Sequence, residues 1–163
     1  MAAIYDCEYE ALIQYGFGFI REPDLIEDAI HDIFLYIWQS RTKLSPRVKI
    51  RAYLFVSLRH KLLALMKKRA NQELKSDSQS FIRDDNSAED KLIQAEFRRE
   101  LMNSLNEGFQ QLRSREREAI SLRYYEKMAY EDISKVMGIN YQSVRNLICT
   151  GTKRLSEILQ KKL

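Results

Sequence analysis

The segment that most constrains the fold is residues 130–155, YEDISKVMGINYQSVRNLICTGTKRL. Apolar residues recur at helical spacing on both sides of Gly138, which can adopt the left-handed backbone that ends a helix. Asn140 can then cap a second helix, and Ser134 is small where the two helices must approach each other. This order of features predicts a helix-turn-helix. The inward side of its second helix is predicted to contain Val144, Leu147, Ile148, Gly151, Leu155 and Ile158.

The opposite side of this second helix carries residue types that recognise DNA. Arginine can donate two hydrogen bonds to guanine, and asparagine or glutamine can pair with adenine in a similar bidentate way. Lysine and arginine can also neutralise phosphates, which positions a protein without reading the sequence. An ordinary helical hairpin with a solvated polar side is the alternative interpretation. The predicted recognition surface for duplex DNA comprises Tyr141, Gln142, Ser143, Arg145, Asn146, Lys153 and Arg154.

The rest of the chain is also predicted to be helical. Only 5 of its 163 residues are glycine and 2 are proline, which argues against a loop-rich all-β fold. Residues 70–86 are polar with few apolar side chains, which is typical of a linker. We therefore expect an all-α protein with two small helical domains, residues 1–70 and 88–163, joined by a flexible linker at 71–87. Apolar periodicity predicts further helices at about residues 5–20, 24–38, 48–69, 88–106 and 114–125.

The predicted helix that starts near Asp24 has an apolar stripe and an acidic outer side. Asp24, followed three residues later by Glu27, has the spacing of a capping box. A solvated helix side is the default interpretation of the outer charges. The apolar stripe is predicted to contain Ile26, Ala29, Ile30, Ile33, Ile37 and Trp38. The outer residues, called the acidic surface below, are Glu27, Asp28, His31, Asp32 and Leu35.

The charge reverses in the next segment, because residues 41–69 contain ten basic residues and no acidic one. Single-stranded nucleic acid is bound by aromatic rings that stack on unpaired bases and by cations that follow the backbone. The outer side of the third predicted helix has both kinds of group, although a solvated basic helix remains the alternative. The residues of this basic surface are Lys49, Arg51, Tyr53, Ser57, Arg59, His60, Lys61 and Lys68.

With these residues in view, the chain resembles the extracytoplasmic-function group of the sigma-70 family of bacterial RNA polymerase sigma factors. Residues 23–38, PDLIEDAIHDIFLYIW, are similar to the polymerase-binding helix of that family. Glu27 and Asp28 occupy the positions of its acidic pair. Phe34 matches its recurring phenylalanine, and His31 stands where glutamine is usual.

The resemblance continues along the rest of the chain. Residues 50–70, IRAYLFVSLRHKLLALMKKRA, are similar to the promoter-opening helix of the family. Residues 112–148 resemble its domain that reads the upstream promoter element. The departures from the usual residues are Tyr53 for tryptophan, His60 for asparagine, Arg113 for proline and Lys127 for glycine.

The resemblance implies a sigma factor that directs RNA polymerase core to specific promoters and assists promoter melting. The N-terminal domain would bind the coiled coil of the largest polymerase subunit and capture unpaired bases of the minus-ten element. The C-terminal domain would bind the polymerase flap and the minus-thirty-five duplex. The expected partners are RNA polymerase core, promoter DNA as duplex and as unpaired strand, and an anti-sigma factor, and the free chain is expected to be a monomer.

Two other classes of function remain open from the residues. A conventional helix-turn-helix regulator would bind only duplex DNA as a dimer, with the N-terminal half as a sensor or dimerisation domain. Separate acidic and basic surfaces in that half disfavour this alternative. An enzyme is disfavoured because His31 and His60 lack metal-ligand spacing, and because the chain has no glycine-rich phosphate loop. We expect no catalytic activity, no cofactor and no metal.

The sequence also predicts the cellular compartment of the protein. No stretch approaches the roughly 18 consecutive apolar residues of a membrane span, and residues 1–6 lack the start of a secretion signal. We therefore expect a cytoplasmic protein without membrane insertion. Cys7 and Cys149 are far apart and form no CxxC pair, so both are expected to be reduced thiols.

Overall fold

The structure, a computed structural model, describes residues 2–41, 49–72 and 104–160. Every regular element within these ranges is a helix, which confirms the predicted all-α fold class. Residues 73–103, which include most of the predicted linker, lie outside the described part, as do residues 42–48. The helices are α1 (Ala2–Phe17), α2 (Pro23–Gln39), α3 (Ile50–Gln72), α4 (104–110), α5 (Ser114–Ile120), α6 (Tyr130–Met137) and α7 (Tyr141–Gln160).

Helices α1, α2 and α3 pack together around an apolar core, because each turns a stripe of large side chains inward. Tyr15 of α1 and Phe55 of α3 are both buried, and their ring centroids lie 5.0 Å apart. Gly16 lies where α1 meets α2, and a Cβ atom there would clash with the side chain of Ile26. The side chains that are almost completely buried here include Leu12, Ile26, Ile30, Leu54, Leu58 and Leu62.

Two details predicted for α2 are wrong. The helix has Glu22 at its N-cap position and Pro23 in its first turn, with no side-chain cap, instead of a capping box at Asp24. Proline is favoured at the first helical position because its missing N–H is not needed there and its φ is already helical. Trp38 is 50% exposed rather than part of the buried stripe, because Ile37 takes the inward position next to it. The guanidinium of Arg41 lies 4.5 Å from the Trp38 ring centroid.

The helix-turn-helix has the local geometry that the sequence predicts. Gly138 ends α6 in the left-handed conformation, with φ 63° and ψ 39°. The Oδ1 atom of Asn140 accepts a hydrogen bond of 2.7 Å from the backbone N–H of Ser143, so Asn140 caps α7. Ile133 of α6 and Val144 of α7 are completely buried where the two helices meet. The motif is therefore held by a turn, a cap and a small apolar core.

The two halves of the chain are in contact in the described residues. Helix α3 packs against α6, and buried residues of both halves form one continuous apolar cluster. Residues 121–125, which follow α5, form a π-helical turn. Lys127, two residues after this turn, has φ 52°, the one positive value at a non-glycine residue in the described part of the chain. The connection between α5 and α6, which faces α3, is therefore under local backbone strain.

We predict that Lys127→Gly stabilises the protein by about 1 kcal/mol relative to Lys127→Ala, since an L side chain in the left-handed region costs about that much. Urea unfolding of both variants and the parent, followed by circular dichroism, measures the difference. Lys127→Ala is the matched control because it removes the charge and keeps the Cβ atom. Equal unfolding free energies for the glycine and alanine variants would contradict the strain.

Candidate nucleic-acid interface

The recognition surface lies along the outer side of α7. Gln142, Arg145, Asn146 and Lys153 are all exposed, as is Cys149 beside them. The side chain of Gln142 donates a hydrogen bond of 3.1 Å to Oδ1 of Asn146, which holds these two amides together. This part of α7 therefore presents an arginine and a pair of amides to solvent, the groups that bind base edges in a major groove.

Three other predicted members of the recognition surface have partners within the protein. Tyr141 is 46% exposed, and its ring meets that of Tyr130 edge-on at a centroid distance of 5.6 Å. The backbone of Ser143 is used by the Asn140 cap described above. The guanidinium of Arg154 donates to the buried carboxylate of Glu116 at 2.9 Å. The charge of Arg154 is therefore paired on the inner side of α7, whereas Lys153 remains exposed.

The acidic surface lies on α2 and is supported by α1. Asp28, Asp32 and Leu35 are exposed, and Glu27 is half-buried. His31 is exposed, but its Nε2 lies 2.9 Å from the Tyr5 hydroxyl, and the two rings stack in parallel. Partial burial, with the charge of Glu27 adding to it, raises the pKa of Tyr5. The Tyr5 hydroxyl therefore stays neutral and available for the hydrogen bond with His31.

Phe34 has a different position from its neighbours on the acidic surface. It is buried beneath that surface, and its ring meets the ring of Tyr5 edge-on at a centroid distance of 4.9 Å. Tyr5 thus contacts both Phe34 and His31, which holds these two side chains of α2 against α1. The part of the acidic surface that a partner could touch directly consists of its carboxylates, His31 and Leu35.

The structure brings the acidic surface and part of the basic surface together. Lys61 of α3 forms an ion pair with Asp32 of α2, and both line a cleft of about 360 Å³ between the two helices. Ser57 and Tyr36 also line this cleft. The sequence predicts two separate surfaces, whereas the folded chain has them meeting at the line where α2 and α3 pack.

The remaining residues of the basic surface divide into two groups. His60 and Lys68 are exposed, and Tyr53 is half-buried against the apolar core. The other group pairs with carboxylates of the C-terminal half. Lys49 Nζ lies 2.9 Å from Asp132, Arg51 Nη2 lies 2.8 Å from Glu126, and Arg59 Nε lies 2.7 Å from Glu118. Three predicted DNA contacts are therefore engaged within the protein.

Burial and charge reinforce the contacts around Glu118. Its carboxylate accepts hydrogen bonds from the Tyr15 hydroxyl at 2.8 Å and from Arg59. Burial, together with the Glu118 charge, raises the pKa of Tyr15 well above its usual value. Burial acts against the charge of Arg59, but the bond and charge of Glu118 outweigh it and raise the pKa of Arg59. The group is thus a neutral phenol and a guanidinium that both donate to one carboxylate.

No pattern in the sequence indicates the carboxylates that face α3. Glu118, Glu126 and Asp132 belong to charged segments of the C-terminal half that look like ordinary solvated helix sides. Their partners lie 59, 75 and 83 residues away along the chain. No local spacing could reveal such pairs, although the low exposure of an acidic residue is a signal once a structure is known.

Within the described residues, no group of three or more His, Cys, Asp or Glu side chains is placed to hold a metal ion. Cys7 and Cys149 are both free and exposed. None of the described helices is both long enough and apolar enough to cross a membrane.

Comparison with known proteins gives matches at both the domain and the whole-chain level. Residues 102–155 match the family described as Sigma-70, region 4. Two proteins named ECF RNA polymerase sigma factor SigK, from Mycobacterium sp. strains JLS and KMS, are 24% identical to the chain over 169 residues. Each alignment covers 97% of this chain and 82% of the relative.

Two solved structures have a similar fold. The first is the sigma factor RpoE of Bartonella quintana in complex with the anti-sigma factor NepR, with a TM-score of 0.73 and 19% identity, covering 98% of this chain and 96% of RpoE. The second is CnrH in complex with the cytosolic domain of CnrY, with a TM-score of 0.62 and 20% identity, covering 99% of this chain and 88% of the matched chain.

The exposed side of α7 leads to a prediction about DNA recognition. Arg145 is predicted to contact a base edge, so Arg145→Ala should weaken binding to a preferred duplex by about 1–3 kcal/mol and relax specificity at one position. Lys153→Ala should weaken binding to all duplexes similarly and reduce the salt dependence, since a phosphate contact carries no sequence information.

Fluorescence anisotropy with a selected duplex and a random duplex, over a series of salt concentrations, separates these two effects. If Arg145→Ala loses as much affinity for the random duplex as for the selected one, the assignment of Arg145 to base reading is wrong.

Proposed function

The chain belongs to the extracytoplasmic-function group of the sigma-70 family, and we propose on this basis that it directs RNA polymerase core to specific promoters and assists their melting. One observation carries the proposal. The segment that matches region 4 of the family, residues 102–155, contains the helix-turn-helix whose second helix exposes Arg145 and the amides of Gln142 and Asn146. The alternative function, a regulator that binds only duplex DNA, would not explain why the chain is similar to sigma factors over 97% of its length.

The C-terminal half would bind the upstream promoter element as a duplex. Arg145, Asn146 and Gln142 would contact base edges, and Lys153 would contact the phosphate backbone. Tyr141 and Ser143, at the start of α7, would lie near the adjacent phosphates, because the N-terminal end of a recognition helix enters the groove. Arg154 would contact the DNA only after its ion pair with Glu116 breaks. While that ion pair is intact, Arg154 would hold α7 against α5.

The acidic surface of α2 would bind RNA polymerase core. Asp28, Asp32 and Leu35 combine exposed carboxylates with an apolar side chain, and such a surface fits a partner that offers cations around an apolar patch. The part of this surface nearest to α1 would consist of Glu27 and His31. Tyr5 and its neighbours hold these two side chains in place. Because α1 fixes the aromatic side chains beneath it, the surface is preorganised and loses little conformational entropy on binding.

The basic surface would hold the unpaired strand of the opened promoter. Tyr53 supplies a ring for stacking, His60 and Ser57 supply hydrogen-bonding groups, and Lys61 and Lys68 supply charge. Lys49, Arg51 and Arg59 would join this surface once their carboxylate partners are displaced. The cleft between α2 and α3, beside Lys61, is large enough to accept part of an unstacked base.

The proposed organisation of the chain follows from these roles. We propose that residues 1–70 form the polymerase-binding and promoter-opening domain, that 88–163 form the duplex-reading domain, and that 71–87 link the two. An anti-sigma factor is a proposed partner, since RpoE and CnrH were each solved in complex with another protein, NepR and CnrY respectively. The role is binding rather than catalysis, and it requires the chain to work in the cytoplasm with the polymerase and the chromosome.

The proposed polymerase contact is tested by reversing one charge on the acidic surface. Asp28→Lys should weaken binding to core polymerase at least tenfold, because a carboxylate in a desolvated contact is replaced by the opposite charge. Glu10→Lys, on the exposed side of α1, makes the same change of charge and should bind core like the parent. The measurement is competition with the parent for core on a pull-down column, and equal affinities for both variants would refute the assignment.

The proposed melting role is tested on a promoter that the holoenzyme uses. Tyr53→Ala combined with His60→Ala should leave core binding nearly unchanged and reduce the permanganate reactivity of unpaired thymines about tenfold, since a stacked base contributes about 1–3 kcal/mol. Lys61 is left in place because it pairs with Asp32 on the acidic surface. Tyr53→Phe keeps the ring and should retain reactivity. Undiminished reactivity in the double variant would show that these residues do not hold the strand.

A further inference from the structure

We propose that Tyr5 of α1 is a positioning residue for the polymerase contact on α2. Its hydroxyl donates to Nε2 of His31, which keeps the imidazole proton on Nδ1 and offers that N–H to the polymerase. The inference rests on the proposed function, which identifies the acidic surface as the polymerase contact. It goes further, because it makes α1 part of that contact and states which hydrogen-bonding group His31 presents.

The contact between Tyr5 and His31 is defined by both distance and orientation. The Tyr5 hydroxyl oxygen lies 2.9 Å from Nε2 of His31. The two rings are parallel to within 1°, and their centroids are 5.9 Å apart. A hydrogen bond and a ring contact on the same imidazole restrict its rotation more than either contact alone. His31 is thereby held in one orientation although its side chain is exposed.

Tyr5 can hold His31 because its own ring is fixed by two other aromatic rings. The ring of Tyr9, one helical turn further along α1, stacks on it at a centroid distance of 5.0 Å. The buried ring of Phe34 meets it edge-on at 4.9 Å. Stacked and edge-on arrangements are the ones that aromatic pairs prefer. Ring packing therefore places the Tyr5 oxygen and leaves it for the hydrogen bond with His31.

The direction of this hydrogen bond follows from the chemistry of the two groups. A phenol donates through its O–H, and a neutral imidazole accepts through the one nitrogen that carries no proton. Burial and the nearby charges of Glu27 and Asp6 raise the pKa of Tyr5, so its hydroxyl keeps the proton with which it donates. When Nε2 of His31 accepts this bond, Nδ1 must carry the imidazole proton. Tyr5 therefore selects one tautomer of His31.

The selected tautomer changes what the acidic surface offers to a partner. Glu27, Asp28 and Asp32, the charged residues around His31 on α2, have carboxylates, which only accept hydrogen bonds. His31 adds one neutral donor among them. A matching polymerase surface needs cations opposite the carboxylates and one acceptor, such as a carbonyl oxygen, opposite His31. A partner without that acceptor would leave the N–H buried and unpaired, which lowers affinity.

The tautomer of His31 can be measured in the free chain. The measurement is a two-bond nitrogen–proton correlation spectrum of the ¹⁵N-labelled full chain at about pH 8, where an ordinary histidine is neutral. The chain has two histidines, and the signal that is absent from His31→Gln belongs to His31. We expect its proton on Nδ1 in the parent. Tyr5→Phe keeps the ring contacts and removes the hydroxyl, so this preference for Nδ1 should be lost.

Binding to core polymerase tests the positioning role. Tyr5→Phe should bind core about three- to tenfold more weakly, since the contact must then select the orientation and tautomer of His31 without the hydrogen bond. Tyr124→Phe is the matched control, because it removes one hydroxyl from an exposed ring of the C-terminal half, and it should bind like the parent. The unfolding midpoints of both variants should stay close to that of the parent, whereas a merely structural hydroxyl would lower the midpoint.

A double-mutant cycle shows whether the hydroxyl acts through His31. His31→Leu removes both nitrogens of the imidazole. Its combination with Tyr5→Phe should bind core no more weakly than His31→Leu alone, because the hydroxyl then has no group to position. Additive losses would mean that Tyr5 affects core binding by another route, and the proposal would be wrong.

Two further results would overturn the proposal. One is a His31 proton on Nε2 in the parent, and the other is a Tyr5→Phe variant that binds core as tightly as the parent. If Tyr5→Phe does not fold, His31→Gln and His31→Leu replace it. Glutamine keeps an acceptor and a donor, so it should bind core about threefold or more tightly than leucine at this position, and equal losses would contradict the proposal.

The two levels of inference fail in different ways. A parent chain that does not bind core at all would refute the proposed function. The tautomer of His31 is measured without polymerase, so that failure would leave it unaffected. A parent that binds core, with a Tyr5→Phe variant that binds equally well, would refute the positioning role alone.

Discussion

The carboxylate of Glu118 is the group on which the arrangement of the two halves depends. It is almost completely buried, and it accepts hydrogen bonds from Tyr15 of α1 and from Arg59 of α3. A buried charge without such partners would destabilise the fold severely, because desolvation is not compensated. The three side chains must therefore stay together, and this requirement positions α5 against α1 and α3. The ion pairs of Arg51 and Lys49 follow from the same alignment.

Charge segregation along the sequence has two consequences in the folded chain. Because residues 41–69 contain only basic charges, their acidic partners must come from elsewhere, and α1, α2 and the C-terminal half supply them. The same cations are the groups that nucleic-acid phosphates attract. The packing of the two halves satisfies these cations with carboxylates of the same chain.

Local features of the sequence predicted local structure well. Gly138 and Asn140 form the turn and the cap of the helix-turn-helix as expected, because left-handed backbone and side-chain capping depend on neighbours within a few residues. The two predictions for α2 that were wrong also concern local details. Pro23 competes with Asp24 for the start of α2, and Ile37 competes with Trp38 for the inward position. Small differences in packing decide such cases, and periodicity alone does not resolve them.

The sequence by itself determined the all-helical fold class, the helix-turn-helix and the exposed residues of α7, since each depends on spacings within one or two helices. It also placed the acidic and basic residues of α2 and α3 on outer helix sides. Only the tertiary structure decided that Lys61 meets Asp32, and that Arg51 and Arg59 are engaged by Glu126 and Glu118. The physical reason is that an ion pair between distant segments depends on how whole helices pack, and no spacing along the chain encodes that packing.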